Sequence, residues 1–213
     1  MTQTKSAQSQ PKDSAERICE VALQLFLERG YDNTPLSLIA KHLDLTKSGI
    51  YHHFESKEQL LYEINHKYIE LLMTPILLKA AAARDPEARV RVFINDYTLM
   101  LATNSSARLL VAEAKRLSPE HYAEVKRAWR ASFDLLRDNL VEMQRAGLVP
   151  KELDPSFTAF AAIGMCSWVS NWYKNSKAKS GKDLAATMER VFFHGVLVSP
   201  PTKTLGKTRQ RGG

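Results

Sequence analysis

Apolar side chains recur at Ile18, Val21, Ala22, Leu25 and Phe26, a three-and-four spacing that places them on one face of a helix. The same period continues through nearly the whole chain, and the alternating β-branched runs that mark strands are absent. Period and boundary residues together predict helices over 13–29, 36–43, 47–53, 57–80, 86–103, 105–117, 119–146, 155–174 and 181–198. Asp13 with Glu16, and Ser56 with Gln59, have capping-box spacing. Thr34-Pro35, Asp85-Pro86, Ser118-Pro119 and Asp154-Pro155 each set a capping residue before a proline at the first helical position. Gly30 and Gly147 stand where helices stop, and Pro75 is expected to end or kink the fourth helix near its middle. Residues 1–11 and the tail SPPTKTLGKTRQRGG at 199–213 lack a hydrophobic period and are expected to be disordered.

The most informative segment is SLIAKHLDLTKSGIYHHFESK, residues 37–57. Two short helices meet there through a tight connection at 42–46, and Leu38, Ile39, Leu43, Leu45, Ile50 and Phe54 are placed to bury one face of each against the first helix. Helices this short do not hold alone in water, so packing must hold them. That arrangement is a helix-turn-helix, whose second helix enters the major groove. Its polar positions suit a duplex. Thr46 and Ser48 can bond phosphate or cap the helix, and Lys47 can reach a guanine edge or a phosphate. Gly49 costs a helix about 1 kcal/mol relative to Ala, which suggests a close backbone approach. Tyr51 and His53 can donate to phosphates, and His52 is the candidate sequence reader. Lys57 opens the next helix, where free N–H groups already favour an anion. The adjacent His52 and His53 diverge by about 100° on a helix, which argues against a shared metal.

The stretch TPLSLIAKHLDLTKSGIYHHFESKEQLLYEI resembles the DNA-binding domain of the tetracycline-repressor (TetR/AcrR) family, and AERICEVALQLFLERGYDNT resembles that family's first helix. The likeness covers about residues 14–64, and Asp44 departs from it where the family usually carries Gly. Asp tolerates the left-handed backbone of a turn, though less well than Gly. The resemblance implies an all-α, nine-helix, two-domain TetR-like fold: an N-terminal three-helix helix-turn-helix domain and a C-terminal helical ligand-binding and dimerisation domain. The expected division is an arm at 1–11, the DNA-binding domain at 12–58, the larger domain at 59–198 and a basic tail at 199–213. It also implies DNA contacts from Thr34, Thr46, Lys47, Ser48, Gly49, Tyr51, His52, His53 and Lys57.

Charge adds little. The net charge of +7 suits a polyanion, but residues 1–60 hold seven Lys/Arg against eight Asp/Glu, so the DNA-reading segment is not basic overall. Cys19 and Cys166 sit among apolar residues and are expected to be buried free thiols. No apolar run approaches the ~20 residues of a membrane span. The polar N-terminus lacks a secretory pattern, so a cytoplasmic protein with no membrane partner is expected.

Residues 65–198 hold no nucleophile elbow, Walker loop, zinc-protease or dinucleotide signature. Neither an enzyme nor a cofactor is expected. Small and apolar residues cover much of the circumference of 155–174 and 181–198, so each segment has more than one face to bury. The family resemblance implies that these segments pair across a two-fold axis in a homodimer, which grips an operator in double-stranded DNA. A sensor pocket for a small hydrophobic effector is expected among the fifth to eighth helices. The candidate lining is Phe93, Tyr97, Met100, Leu101, Arg108, Leu109, Leu110, Arg116, Trp129, Phe133, Leu136, Phe160, Met165, Trp168 and Trp172. The segment RLLVAEAKRLSPEHYAEVKRAWRASFDLLRDNLVEMQRAGLV is similar, more loosely, to family members that sense fatty-acyl or steroid-derived coenzyme A thioesters. That likeness implies an apolar tunnel with a basic mouth drawn from Arg108, Lys115, Arg116, Lys126, Arg127 and Arg130. A non-CoA hydrophobic effector, and a helical interaction protein without DNA binding, stay open as alternatives.

Overall fold

The computed structural model describes residues 14–173 and 180–196. The elements are α1 (Ser14–Arg29), α2 (Leu36–His42), α3 (Lys47–Tyr51), α4 (Lys57–Tyr68), a π turn (Ile69–Met73), α5 (Thr74–Ala81), α6 (Pro86–Thr103), α7 (Ser105–Glu113), a 3-10 turn (Ala114–Arg116), α8 (Pro119–Arg145), α9 (Pro155–Trp172) and α10 (Gly181–Val196). With α4, the π turn and α5 taken as one uninterrupted rod, the expected all-α, nine-helix plan is met among the described residues. The arm at 1–11, the Asp13 cap and the tail at 199–213 lie outside the described residues.

Local chemistry sets the helix ends. Ser56 accepts from the Gln59 N–H at 2.9 Å, Asp85 from Ala88 at 2.8 Å, Ser118 from His121 at 3.2 Å and Asp154 from Phe157 at 2.8 Å, each satisfying a donor the helix cannot. Asn104 caps α7 in the same way, accepting from Ala107 at 2.9 Å. Thr34-Pro35 departs from the expectation. Pro35 is itself the N-cap of α2, and the Thr34 hydroxyl turns inward to donate to the Leu25 and Gly30 carbonyls at 3.3 and 2.9 Å. The left-handed turns fall where expected, at Gly30 (φ +82°), Gly147 (φ +73°) and Asp44 (φ +53°).

Pro75 does not end its rod. The π turn precedes it, with the Thr74 N–H reaching back to the Ile69 carbonyl. A proline lacks the N–H for the carbonyl four residues earlier and its ring crowds that carbonyl, and the wider turn gives the backbone room.

Two large hydrophobic cores and a small cluster of Ala102, Val169 and Tyr173 result. The first gathers α1 to α4 around Ile18, Phe26, Ile39, Ile50, Leu60 and Leu61, and takes in Leu110, Ala114, Leu117 and Val125 from α7, the 3-10 turn, its following loop and α8. The second fills the larger domain around Phe93, Ile94, Leu101, Leu136, Leu140 and Cys166. α4 and its continuation run from one core into the other. Where α10 begins, a Cβ on Gly181 would stand 2.9 Å from the Thr103 methyl, so only glycine lets α10 start against the end of α6.

Candidate nucleic-acid interface and ligand cavity

α3 has one turn and a half, yet its orientation is fixed. Ile50 is fully buried and Phe54 nearly so, both in the first core. Thr46 caps the helix by accepting from the Gly49 N–H at 3.0 Å. With the apolar side held inward, Thr46, Lys47, Ser48, Tyr51 and His52 stand exposed, and Gly49 and His53 are half-buried. Lys47 Nζ lies 5.7 Å from the Tyr51 ring centroid, so the two form one cationic and hydrogen-bonding surface. A Cβ on Gly49 would meet only ordinary contacts, the nearest 3.4 Å away. The chain's own packing therefore does not require glycine there.

Two expectations need correction. Thr34 has no exposed surface, and its hydroxyl is committed to two carbonyls, so it does not face a duplex. Leu45, expected in the core, is 39% exposed, because the turn lifts it to the rim of the α2–α3 connection.

Lys57 holds a structural position as well as an accessible one. Its ammonium donates to the Tyr31 carbonyl and sits 4.0 Å from the Tyr31 ring centroid. Burial lowers its pKa, opposed by the nearby Asp32 carboxylate, while burial pushes the Tyr31 phenol up to about 12. Arg116 joins the group with two bonds to Asp32, at 2.9 and 2.8 Å, and a bond to Glu113.

A second tie lies beside it. Glu58 accepts from the Ser118 N–H at 2.7 Å and contacts His121 Nδ1 at 2.9 Å. The Tyr62 ring stacks on His121 at 3.9 Å, and its hydroxyl donates to Glu124. The start of α8 is thereby clamped to the start of α4, the rod that carries Lys57.

The larger domain contains a cavity of about 690 Å³ between the π turn, α6, α7, α8 and α9. Phe93, Tyr97, Trp129, Phe133 and Phe160 line it, while Met100 and Leu110 line a small adjoining void. Its predominantly apolar wall carries one hydrogen-bonded polar pair, the buried Tyr97 Oη and the half-buried Ser167 Oγ at 3.1 Å, and burial raises the Tyr97 pKa. Lys126, Arg127 and Arg130 also border it, all three exposed.

The other candidates are elsewhere. Leu101 and Leu136 are fully buried core, and Met165 packs against that core. Leu109 packs on the first core instead. Arg108 donates to the Leu101 and Ala102 carbonyls, completing the end of α6. Arg116 is the interdomain tie already described. Trp168 and Trp172 face outward from α9, 65% and 51% exposed. The sequence reading missed Met73, Val111, Ala123, Ser132, Ile163 and Ser167, which also line the cavity. Ser132 and Ser167 had a faint signal, a hydroxyl among apolar neighbours; the rest are ordinary core residue types.

A three-helix unit that presents a short polar helix, joined by one rod to a hollow helical domain, defines a helix-turn-helix transcriptional regulator with a separate second domain. Residues 18–64 match the model of bacterial regulatory proteins of the tetR family, and residues 83–196 match a tetracyclin repressor-like C-terminal domain. The chain belongs to the TetR family of regulators. The transcriptional repressor KstR2 of Mycolicibacterium smegmatis is 24% identical over 205 residues, covering 92% of this chain and 96% of the relative. AibR, solved with isovaleryl coenzyme A and operator DNA, superposes with a TM-score of 0.76 at 26% identity, covering 85% of this chain and 98% of AibR. The ketosteroid regulator KstR2 of Mycobacterium tuberculosis shares the fold, with a TM-score of 0.77 at 18% identity over 89% of this chain and 98% of that one. Among the described residues no helix is long and apolar enough to cross a membrane.

Proposed function

We propose that this regulator is a repressor that binds a palindromic operator as a homodimer and leaves it when a small hydrophobic effector, an acyl-CoA thioester, enters the larger domain. The observation that carries the DNA half is α3: Ile50 is held at zero exposure while Lys47, Ser48, Tyr51 and His52 face solvent. Thr46 and the Lys57 ammonium add phosphate donors at its two ends, and Gly49 gives the duplex backbone close access. The free N–H groups at the start of α4 favour the same anion as Lys57.

Two such helices must face one duplex, about one helical turn apart. Support for pairing comes from the outer faces of α9 and α10, where Phe157, Trp168, Trp172 and Val191 are 51–76% exposed in the single chain. An apolar surface of that kind marks an interaction site. The effector reading draws on the cavity. Its apolar wall suits an acyl group, and Lys126, Arg127 and Arg130 at the border suit the phosphates of coenzyme A. AibR, of the same fold, is named with both isovaleryl coenzyme A and operator DNA. In this role the protein works in the cytoplasm, beside the DNA it reads.

The effector acts by binding the DNA-free state more tightly than the DNA-bound one. A mobility-shift assay with the chain's own upstream region tests this. The account predicts a sequence-specific retarded band that saturated acyl-CoA thioesters abolish. A band unmoved by any thioester rejects the effector class, and no specific band at all rejects the repressor reading.

A further inference from the structure

The Lys57 ammonium donates to the Tyr31 carbonyl and lies 4.0 Å from the Tyr31 ring centroid. The Arg116 guanidinium approaches the same ring from the turn after α7, its carbon 5.6 Å from the centroid. Two cations thus share one aromatic ring, with the carboxylates of Asp32 and Glu113 beside them. An ammonium has three N–H donors. One is spent on Tyr31, which leaves two for an anion.

Asp32 is the strongest rival to phosphate for those donors. Its side chain is exposed, and its field on Lys57 exceeds those of Arg116 and Glu113. Arg116 engages both of its oxygens, Nη1 to Oδ1 at 2.9 Å and Nη2 to Oδ2 at 2.8 Å. Glu113 accepts from Arg116 Nε and so aims that fork. The planar guanidinium matches a carboxylate in this two-pronged way, and a lysine would not. Glu58, whose field also reaches Tyr31, is committed to the Ser118 N–H and His121. The charges of Lys57, Arg116, Asp32 and Glu113 cancel. Without Arg116 the group would carry an excess negative charge at the start of α4, where phosphate must approach.

We propose that Arg116 is a positioning residue for DNA binding: its fork holds the Asp32 carboxylate away from Lys57 Nζ and leaves that ammonium free for a phosphate. This rests on the assignment of Lys57 to phosphate and extends it to a residue outside the helix-turn-helix unit. A purely structural tie between Arg116 and Asp32 has the opposite consequence for Asp32, because cutting a tie at either end gives the same loss.

Anisotropy titrations over a range of salt, with the chain's own upstream duplex and one of unrelated sequence, would compare the full-length protein with Arg116→Gln, Asp32→Asn and the double variant. Melting curves would confirm that each is folded. Arg116→Gln should weaken both duplexes by roughly fivefold and lower the salt slope by about one unit, as Asp32 takes Lys57. Asp32→Asn should bind at least as tightly as wild type, and adding it to Arg116→Gln should restore most of the loss. NMR titration of the Lys57 ammonium without DNA gives a second readout: its pKa should rise in Arg116→Gln and return in the double variant. Losses in both single variants with no recovery in the double make the pair a structural tie and overturn the proposal. A loss in Arg116→Gln that Asp32→Asn does not recover makes Arg116 itself the phosphate contact and overturns it too, as does an Arg116→Gln variant that binds like wild type. If wild-type protein binds neither duplex, the assignment of Lys57 to phosphate has failed. The titration then judges the guarding of Lys57 alone, and a pKa that Arg116→Gln leaves unmoved overturns it.

Discussion

The DNA-reading unit and the cavity use the same kinds of side chain in opposite ways. In α3 the working groups stand in water, and the residues that aim them, Ile50 and Phe54, lie within a few positions along the chain. In the cavity the working groups are walls, drawn from the π turn, α6, α7, α8 and α9, and its hydrogen-bonded pair joins residues seventy positions apart. Local sequence can specify the first arrangement. Only the packing of distant helices specifies the second. The two regions meet where the start of α8 is clamped to the start of α4 through Glu58, His121, Tyr62 and Glu124.

Weakening the DNA side should have the largest effect. Lys57→Ala removes a charge from the start of α4 and should reduce affinity for all duplex sequences alike, lowering the salt slope by about one unit. Because the ammonium also bonds the Tyr31 carbonyl, this variant should also lose stability, by about 1 kcal/mol for the lost hydrogen bond. Fluorescence titrations over a range of salt, with a denaturation curve, separate the two effects. An unchanged slope removes Lys57 from the phosphate contacts and leaves it a purely structural tie.

How much of this was legible in the sequence follows the same division. Capping serines and aspartates, the glycine stops and the Ile18–Phe26 stripe marked nearly every helix, because each is a local device. Asp44 was correctly placed in a left-handed turn for the same reason. Thr34 was misassigned because threonine before proline matches a cap pattern, and only the fold shows its hydroxyl satisfied from within. The π turn had no signal beyond Pro75. Of the aromatic candidates, Phe93, Tyr97, Trp129, Phe133 and Phe160 lie on the cavity wall while Trp168 and Trp172 face outward, and Met73, Val111 and Ile163 were missed. A residue on an apolar helix face looks the same whether a neighbouring helix touches it or stands off and leaves a void.

The clamp between the regions offers a smaller and pH-dependent test. Its hydrogen bond from Tyr62 holds the Glu124 carboxyl below the usual range, and the same bond, more than burial, pushes the Tyr62 phenol up to about 12. A depressed carboxyl stabilises the fold above its unfolded pKa and loses that contribution as pH falls through the folded value. A raised phenol contributes fully below its unfolded pKa of 10.0 and loses the contribution as pH rises toward 12. Tyr62→Phe should therefore lower the Tm by about 2 °C near neutral pH, and the difference from wild type should narrow at both acid and alkaline extremes. A gap that stays constant across pH would assign the loss to packing against His121 rather than to the hydrogen bond. Loss of effector-driven release in this variant, with both ligands still binding, would mark the clamp as part of the coupling between the regions.

The central claim is that the exposed side of α3, present twice in a homodimer, reads a duplex. Hydroxyl-radical footprinting on the upstream region tests it most directly. The account predicts two protected patches on one face of the DNA, centred about 10 bp or a multiple of it apart, both lost together in Lys47→Ala. A single patch, or protection that ignores sequence and survives that substitution, would contradict it.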